Sequence, residues 1–172
     1  IRENFQLVSR LSHPNIATVR TLEKDPDSGD YYLIMECVDG VNLRKWRKQT
    51  QGGRPDVPTV LPVVRQIAEA LDYAHGEGII HRDIKPSNVM ITAEGRVKVL
   101  DFGLAAQLHT SMSRVSQVHY GTSGTGPYMA PEQWRGQYQD ATTDQYSLGV
   151  LVYELLAGRC PFESHDPTVL RE

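Results

Sequence analysis

The sequence predicts an α+β fold, on three observations. Apolar residues recur at helical spacing from Thr59 to Ala74, two pairs of β-rich runs are each joined by turn residues, and a second helical run covers residues 143–157. The chain has 172 residues, of which 40% are apolar and 23% charged, which is ordinary for a globular protein with one buried core.

Taken in order, Phe5, Val8 and Leu11 followed by His13-Pro14 read as the last turns of an amphipathic helix, with proline where the helix must stop. Ile16 to Leu22 is β-rich, Asp25-Pro26-Asp27-Ser28-Gly29 is turn chemistry, and Tyr31 to Val38 is strand-like, so the three form a hairpin. Gly40 to Trp46 leads into a short polar helix, and Gln51 to Pro58 is a Gly- and Pro-containing loop. The next helix starts near Thr59, carries Leu61, Val64, Ile67, Ala68, Leu71 and Ala74 on its apolar side, and places Gly76 as the glycine that ends it. Val89 to Ile91 and Val97 to Leu100 are short strands around Ala93-Glu94-Gly95. Residues 104–126 are rich in Ser, Thr and Gly and read as loop; the helix over 143–157 is apolar on most faces and reads as buried.

Charge and cysteine content exclude several classes. Lys plus Arg number 18 against 21 Asp plus Glu, a net of −3, with no basic footprint for nucleic acid or a membrane surface. Cys37 and Cys160 fit no metal motif and point to a reducing, cytoplasmic setting. The longest apolar run, Tyr146 to Ala157, contains Glu154 and is shorter than the ~20 residues that span a bilayer, so no membrane contact is expected of this segment. His13, His75, His109, His119 and His165 share no ligand spacing, and Trp46 and Trp134 read as packing residues. The abrupt ends read as those of an excerpt from a longer protein, such as the cytosolic part of a membrane-anchored one.

Two blocks carry chemistry. His81-Arg82-Asp83-Ile84-Lys85-Pro86-Ser87-Asn88 precedes the first of the two short strands, and Asp101-Phe102-Gly103 follows the second. Asn88 and Asp101 are 101 − 88 = 13 residues apart, the length of one tight hairpin, so Asp83, Asn88 and Asp101 converge. Phosphoryl transfer needs such a cluster: hard oxygen ligands for Mg2+, a carboxylate for the attacking hydroxyl, and a cation for the transferring group. Asn88 and Asp101 suit the metal, Asp83 the hydroxyl and Lys85 the phosphate.

With Ala130-Pro131-Glu132 and Asp144-Gln145-Tyr146-Ser147-Leu148-Gly149 in the same order, these blocks make the chain resemble the protein kinase family over nearly its whole length. Lys85-Pro86 after the aspartate is the serine/threonine pattern, and the style of residues 86–90 and 128–133 is closest to bacterial members. The resemblance implies a protein-kinase-like fold: a remnant of the small lobe at 1–36, a hinge at 37–42 and part of the mostly helical large lobe at 43–172. It implies ATP and Mg2+ as cofactors and a protein as substrate. By position, Asp83 resembles the catalytic base, Lys85 the catalytic-loop lysine, Thr125 the threonine bridging them, and Asn88 and Asp101 the metal ligands. Met35 falls at the gatekeeper, Glu36 to Val38 at the adenine-binding hinge and Met90 beneath the adenine. Val8, Val19, His81 and Phe102 correspond to a stacked spine, and Asp144 to the aspartate that braces the catalytic loop. Glu132 corresponds to a glutamate that pairs with an arginine of a later helix.

The resemblance also marks departures. No glycine-rich phosphate loop and no strand lysine precede the first helix, so this segment alone is expected to be inactive. The helix glutamate that pairs with that lysine falls nine residues before His13, at Asn4, with Glu3 beside it; either Glu3 serves or the pair is replaced. A scaffold that keeps the fold without activity is the rival reading, and a small-molecule phosphotransferase a second; the intact Asp83, Asn88 and Asp101 argue against the first and Ala130-Pro131-Glu132 against the second. Arg82 is placed to pair with a phosphate on Thr110, Ser111, Ser113, Ser116, Thr122 or Ser123, with Ser116, Thr122 and Ser123 best situated, or with a local carboxylate.

Overall fold

A computed structural model describes residues 2–102 and 125–162. Helix α1 (Arg2–Val8) leads to a hairpin of β1 (Val19–Lys24) and β2 (Tyr31–Met35). Strand β3 (Gly40–Asn42) runs into α2 (Leu43–Gln49), and α3 (Val57–Gly76) follows. Strands β4 (Val89–Thr92) and β5 (Val97–Val99), the short α4 (Pro131–Trp134) and α5 (Ala141–Ala157) complete the described chain. The strands form two sheets, β1-β2 and β3-β4-β5, both antiparallel.

Helix α1 stops at Val8; Arg10 and Leu11 close tight turns onto Leu7 and Val8, so buried Leu11 packs from a turn and not from the helix the sequence suggested. Past the turn, Ile16 joins the edge of β5 in parallel, with Val99 N–H on Asn15 O at 2.8 Å and Ala17 N–H on Val99 O at 2.9 Å. Buried Asn15 donates to Gln66 Oε1 and Val97 O, both at 2.9 Å, which ties this segment to α3.

Helix α3 begins two residues earlier than expected because Asp56 caps it, accepting from Thr59 N–H at 3.0 Å, with Pro58 in the first turn where no donor is needed. Its buried face is Val60, Val63, Ile67, Ala70, Leu71 and Ala74, whereas Leu61 is 53% exposed. The face is therefore rotated from the one the apolar spacing picked out. Val60, Leu61, Val63 and Val64 are all apolar, and periodicity alone cannot rank such near-equivalent registers. Gly76 is still helical; the left-handed residue that turns the chain is Gly78, at φ 76°, with Ile79 N–H returning to Ala74 O at 2.8 Å.

Helix α5 starts at Ala141 because Asp140 accepts from Thr142 N–H at 2.9 Å, a cap the apolar run did not reveal. One side is buried through Thr143, Asp144, Ser147, Val150, Leu151 and Leu155, while Tyr153 and Leu156 are exposed, so α5 is buried on one face and not all round. Leu151 and Leu155 join Leu43, Ile67, Ala74, Ile84, Val89, Val97, Val99 and Phe102 in one core between α3, α5 and the three-stranded sheet. The α3 register is open to measurement. Ile67→Ala should lower unfolding stability by about 2–5 kcal/mol and Leu61→Ala by no more than about 0.5 kcal/mol in denaturant titrations; equal costs would contradict the buried face described.

Candidate active site

The loop from Ile79 to Asn88 joins α3 to β4 and is anchored by buried Ile79 and Ile84, with His81 between them fully buried as well. Its backbone hangs from a side chain 62 residues later. Fully buried Asp144 on α5 accepts from His81 N–H at 2.8 Å (Oδ2) and Arg82 N–H at 2.7 Å (Oδ1), and His75 Nε2 lies 2.7 Å from Oδ2. A buried carboxylate is stable only when its oxygens are satisfied, and here three donors do so. The brace expected of Asp144 is present, and His75 is a third partner that the sequence did not single out.

Arg82 has φ 68° and Asp101 φ 61°, the two non-glycine residues in the left-handed region among those described. Each such residue costs ~1–2 kcal/mol unless its surroundings hold it. His81 couples the two positions: its Nδ1 accepts from Asp83 N–H at 3.1 Å and its Nε2 donates to Leu100 O at 2.7 Å, which assigns the proton to Nε2. Its ring meets Phe102 edge-on at 4.6 Å, and Val8 and Val19 lie in the same buried cluster as Phe102, in keeping with the stacked set the resemblance implies.

Lys85 Nζ lies 2.8 Å from Asp83 Oδ2 and donates to Thr125 Oγ1 at 2.7 Å. Asn88 Nδ2 donates to Asp83 O and Asp83 Oδ2, both at 2.9 Å. Asp83 thus has one oxygen tied by a cation and an amide, while Oδ1 is buried and without a hydrogen-bond partner among the described residues. The same bonds turn the Asn88 amide so that its Oδ1 faces away from Asp83, where it accepts from Ser87 Oγ at 3.3 Å. The pairing Val89↔Val99 and the bond from Leu100 N–H to Asn88 O at 2.8 Å bring the strand end carrying Asp101 beside Asn88. Burial pushes the Asp101 carboxyl above the usual range; His81 and Lys85 draw it down and Asp83 raises it, so all four share one electrostatic environment.

Asp101 and the Asn88 amide oxygen are hard donors suited to a divalent ion. Among the described residues no three His, Cys, Asp or Glu side chains cluster tightly enough to hold a metal unaided. That donor set fits Mg2+ arriving with phosphate oxygens of its own.

The hinge residues stand apart from this cluster. Met35 pairs with Val19, and Met90 with Lys98 and Asn42. Glu36 N–H is already taken by Thr18 O at 2.8 Å, which leaves the backbones of Cys37 and Val38 as the parts of the expected hinge without a backbone hydrogen bond among the described residues. The Glu36 carboxylate accepts from Thr18 N–H at 3.1 Å and Lys98 Nζ at 3.0 Å. Partial burial opposes its ionisation, but these partners prevail and hold it below the ordinary carboxylate range. A cavity of about 860 Å³ beside the hinge is lined by Glu36, Val38, Trp46, Ile91, Arg96 and Lys98 among others, and includes none of Asp83, Lys85, Asn88 or Asp101.

Glu132 is held by Thr143 Oγ1 at 2.5 Å, so α5 supplies a partner where a later arginine was expected. Arg82 Nε is buried and unpartnered among the described residues, and Gly103 together with Thr110, Ser111, Ser113, Ser116, Thr122 and Ser123 lies outside them.

Because Asp101 titrates above the 3.8 of an ordinary aspartate, its ionised form destabilises the fold. That penalty is full above the raised value and vanishes below 3.8, where the proton is bound folded or unfolded. Asp101→Asn should therefore raise the thermal unfolding midpoint at neutral pH, with the gain shrinking as pH falls. A variant melting no higher than wild type at neutral pH would contradict burial as the dominant influence.

The protein kinase domain family matches residues 1–172 of the chain. The serine/threonine-protein kinase PknB of Mycobacterium tuberculosis is 42% identical over 169 residues, which cover 96% of this chain and 26% of that protein. PknB of Mycolicibacterium smegmatis is 40% identical over 172 residues, covering 98% of this chain and 27% of that protein. The crystal structure of the M. tuberculosis PknI kinase domain matches with a TM-score of 0.72 and 31% identity, over 94% of this chain and 58% of the solved one. The chain spans about a quarter of the length of these curated relatives. Its motif order, its fold and its sequence agree, and the chain belongs to the protein kinase family, among relatives that are bacterial serine/threonine kinases.

Proposed function

We propose that the chain forms the catalytic floor of a protein serine/threonine kinase that moves the γ-phosphate of ATP to Ser or Thr hydroxyls of protein substrates. The observation that carries this reading is the asymmetry of Asp83: Oδ2 is fixed by Lys85 and Asn88, and Oδ1 is buried without a partner among the described residues. An acceptor held in this way orients a hydroxyl and takes its proton. Lys85, steadied by Thr125, supplies positive charge beside the transferring group. Asn88 and Asp101 would hold Mg2+, which when bound offsets phosphate charge. Met35, Glu36, Val38 and Met90 would receive the adenine, with the Val38 backbone as its hydrogen-bonding edge.

The break between the two sheets, from Met35 to Gly40, supports a division into small-lobe residues 1–36, hinge 37–42 and large-lobe residues 43–172. Both cysteines are free thiols, which supports a cytoplasmic setting, and no helix among the described residues is long and apolar enough to cross a membrane.

Asp83→Asn in the full-length protein tests the reading. Phosphorylation of a protein substrate should fall about 10²–10⁴-fold, while nucleotide affinity, followed by titration calorimetry, stays within a few-fold of wild type. Turnover near that of wild type would remove Asp83 from the proposed role.

A further inference from the structure

We propose that Gln133 is a positioning residue for Asp83, acting through the peptide bond that joins Arg82 to Asp83; the inference rests on the kinase reading above. The oxygen of that peptide, Arg82 O, accepts from Gln133 Nε2 at 2.8 Å. Its N–H, on Asp83, donates to His81 Nδ1 at 3.1 Å. A peptide unit is planar, so bonds at its two ends fix its orientation. This is the unit that leaves left-handed Arg82 and sets the direction in which the Asp83 side chain departs.

Gln133 is well placed to act as a fixed reference. Its Oε1 accepts from Ala130 N–H at 3.0 Å at the start of α4, so both ends of its amide are engaged. The segment bearing it is bolted to α5: Ser147 Oγ donates to Tyr128 O at 2.8 Å, Tyr128 OH to Glu154 Oε2 at 2.5 Å, and Thr143 Oγ1 to Glu132 Oε1 at 2.5 Å. Helix α5 also carries Asp144, which accepts from Arg82 N–H. The N–H and the C=O of Arg82 are thus both referred to one helix, directly through Asp144 and indirectly through Gln133.

The two halves of the Gln133 amide do different work, and substitution separates them. Gln133→Glu keeps an oxygen for Ala130 N–H, so the start of α4 remains capped, but it sets a carboxylate against the Arg82 carbonyl. Gln133→Met keeps the length and loses both bonds. In the full-length protein, Gln133→Glu should lower kcat about 3- to 30-fold, with KM for ATP changed by less than about threefold and the melting temperature lowered less than by Gln133→Met. Hydrogen exchange in the peptide spanning Ile79 to Asn88 should quicken in the same variant. Gln133→Met should show the same loss of kcat and the same faster exchange, with a lower melting temperature.

A Gln133→Glu protein with wild-type kcat, or with unaltered exchange in that peptide, would reduce Gln133 to a helix cap and overturn the proposal. If Gln133→Glu fails to fold, Gln133→Met decides by the same two readouts. Wild-type protein that phosphorylates no protein substrate would instead sink the kinase reading, and the exchange measurement, which needs no activity, would still decide whether Gln133 holds the Asp83 peptide.

Discussion

The site depends on one buried carboxylate. Asp144 has no contact with solvent, and its cost is offset only because His75, His81 and Arg82 supply donors to it. Those donors are the means by which a loop between α3 and β4 acquires a single conformation. Remove the carboxylate, and two buried backbone N–H groups lose their partner at the point where the chain adopts an unfavourable φ. The apolar core gives α3, α5 and the sheet their arrangement; Asp144 converts that arrangement into the placement of polar groups.

Strain and charge collect where chemistry is expected. Arg82 and Asp101 are both left-handed, and Asp101 is a carboxyl whose burial opposes its ionisation. Neither feature favours the fold. Such local conflict against a well-packed background is typical of functional sites.

The candidate site was legible because type and spacing carry it: Asp83, Lys85, Asn88 and Asp101 stand in blocks whose short connecting hairpin forces convergence. Residues that work through distant partners were legible only where a family motif carries them, as at Asp144; His75 and Gln133 were not. His75 and Asp144 are 69 residues apart, and Gln133 and Arg82 are 51 apart, so no local pattern links them. The errors in the fold have a similar cause. Val60, Leu61, Val63 and Val64 offer two nearly equal apolar faces, and only packing against α5 and β5 chooses between them. Gly76 and Gly78 are both plausible ends for α3, and the choice falls to the glycine whose φ is positive. Glu36 faces Lys98 and spends its N–H on Thr18, which a linear reading could not show.

The distance in sequence between Asp144 and the loop it holds has a consequence during synthesis. His81 leaves the ribosome 63 residues before the side chain that anchors it. At ordinary elongation rates that interval is roughly 3–13 s. The β1-β2 hairpin and the sheet of β3, β4 and β5 rest on nearer contacts and can form meanwhile, whereas the N–H groups of His81 and Arg82 gain their Asp144 partner only when α5 emerges. A nascent chain is therefore compact before the Asp83 loop reaches its final conformation, an interval set by the order in which its parts are made.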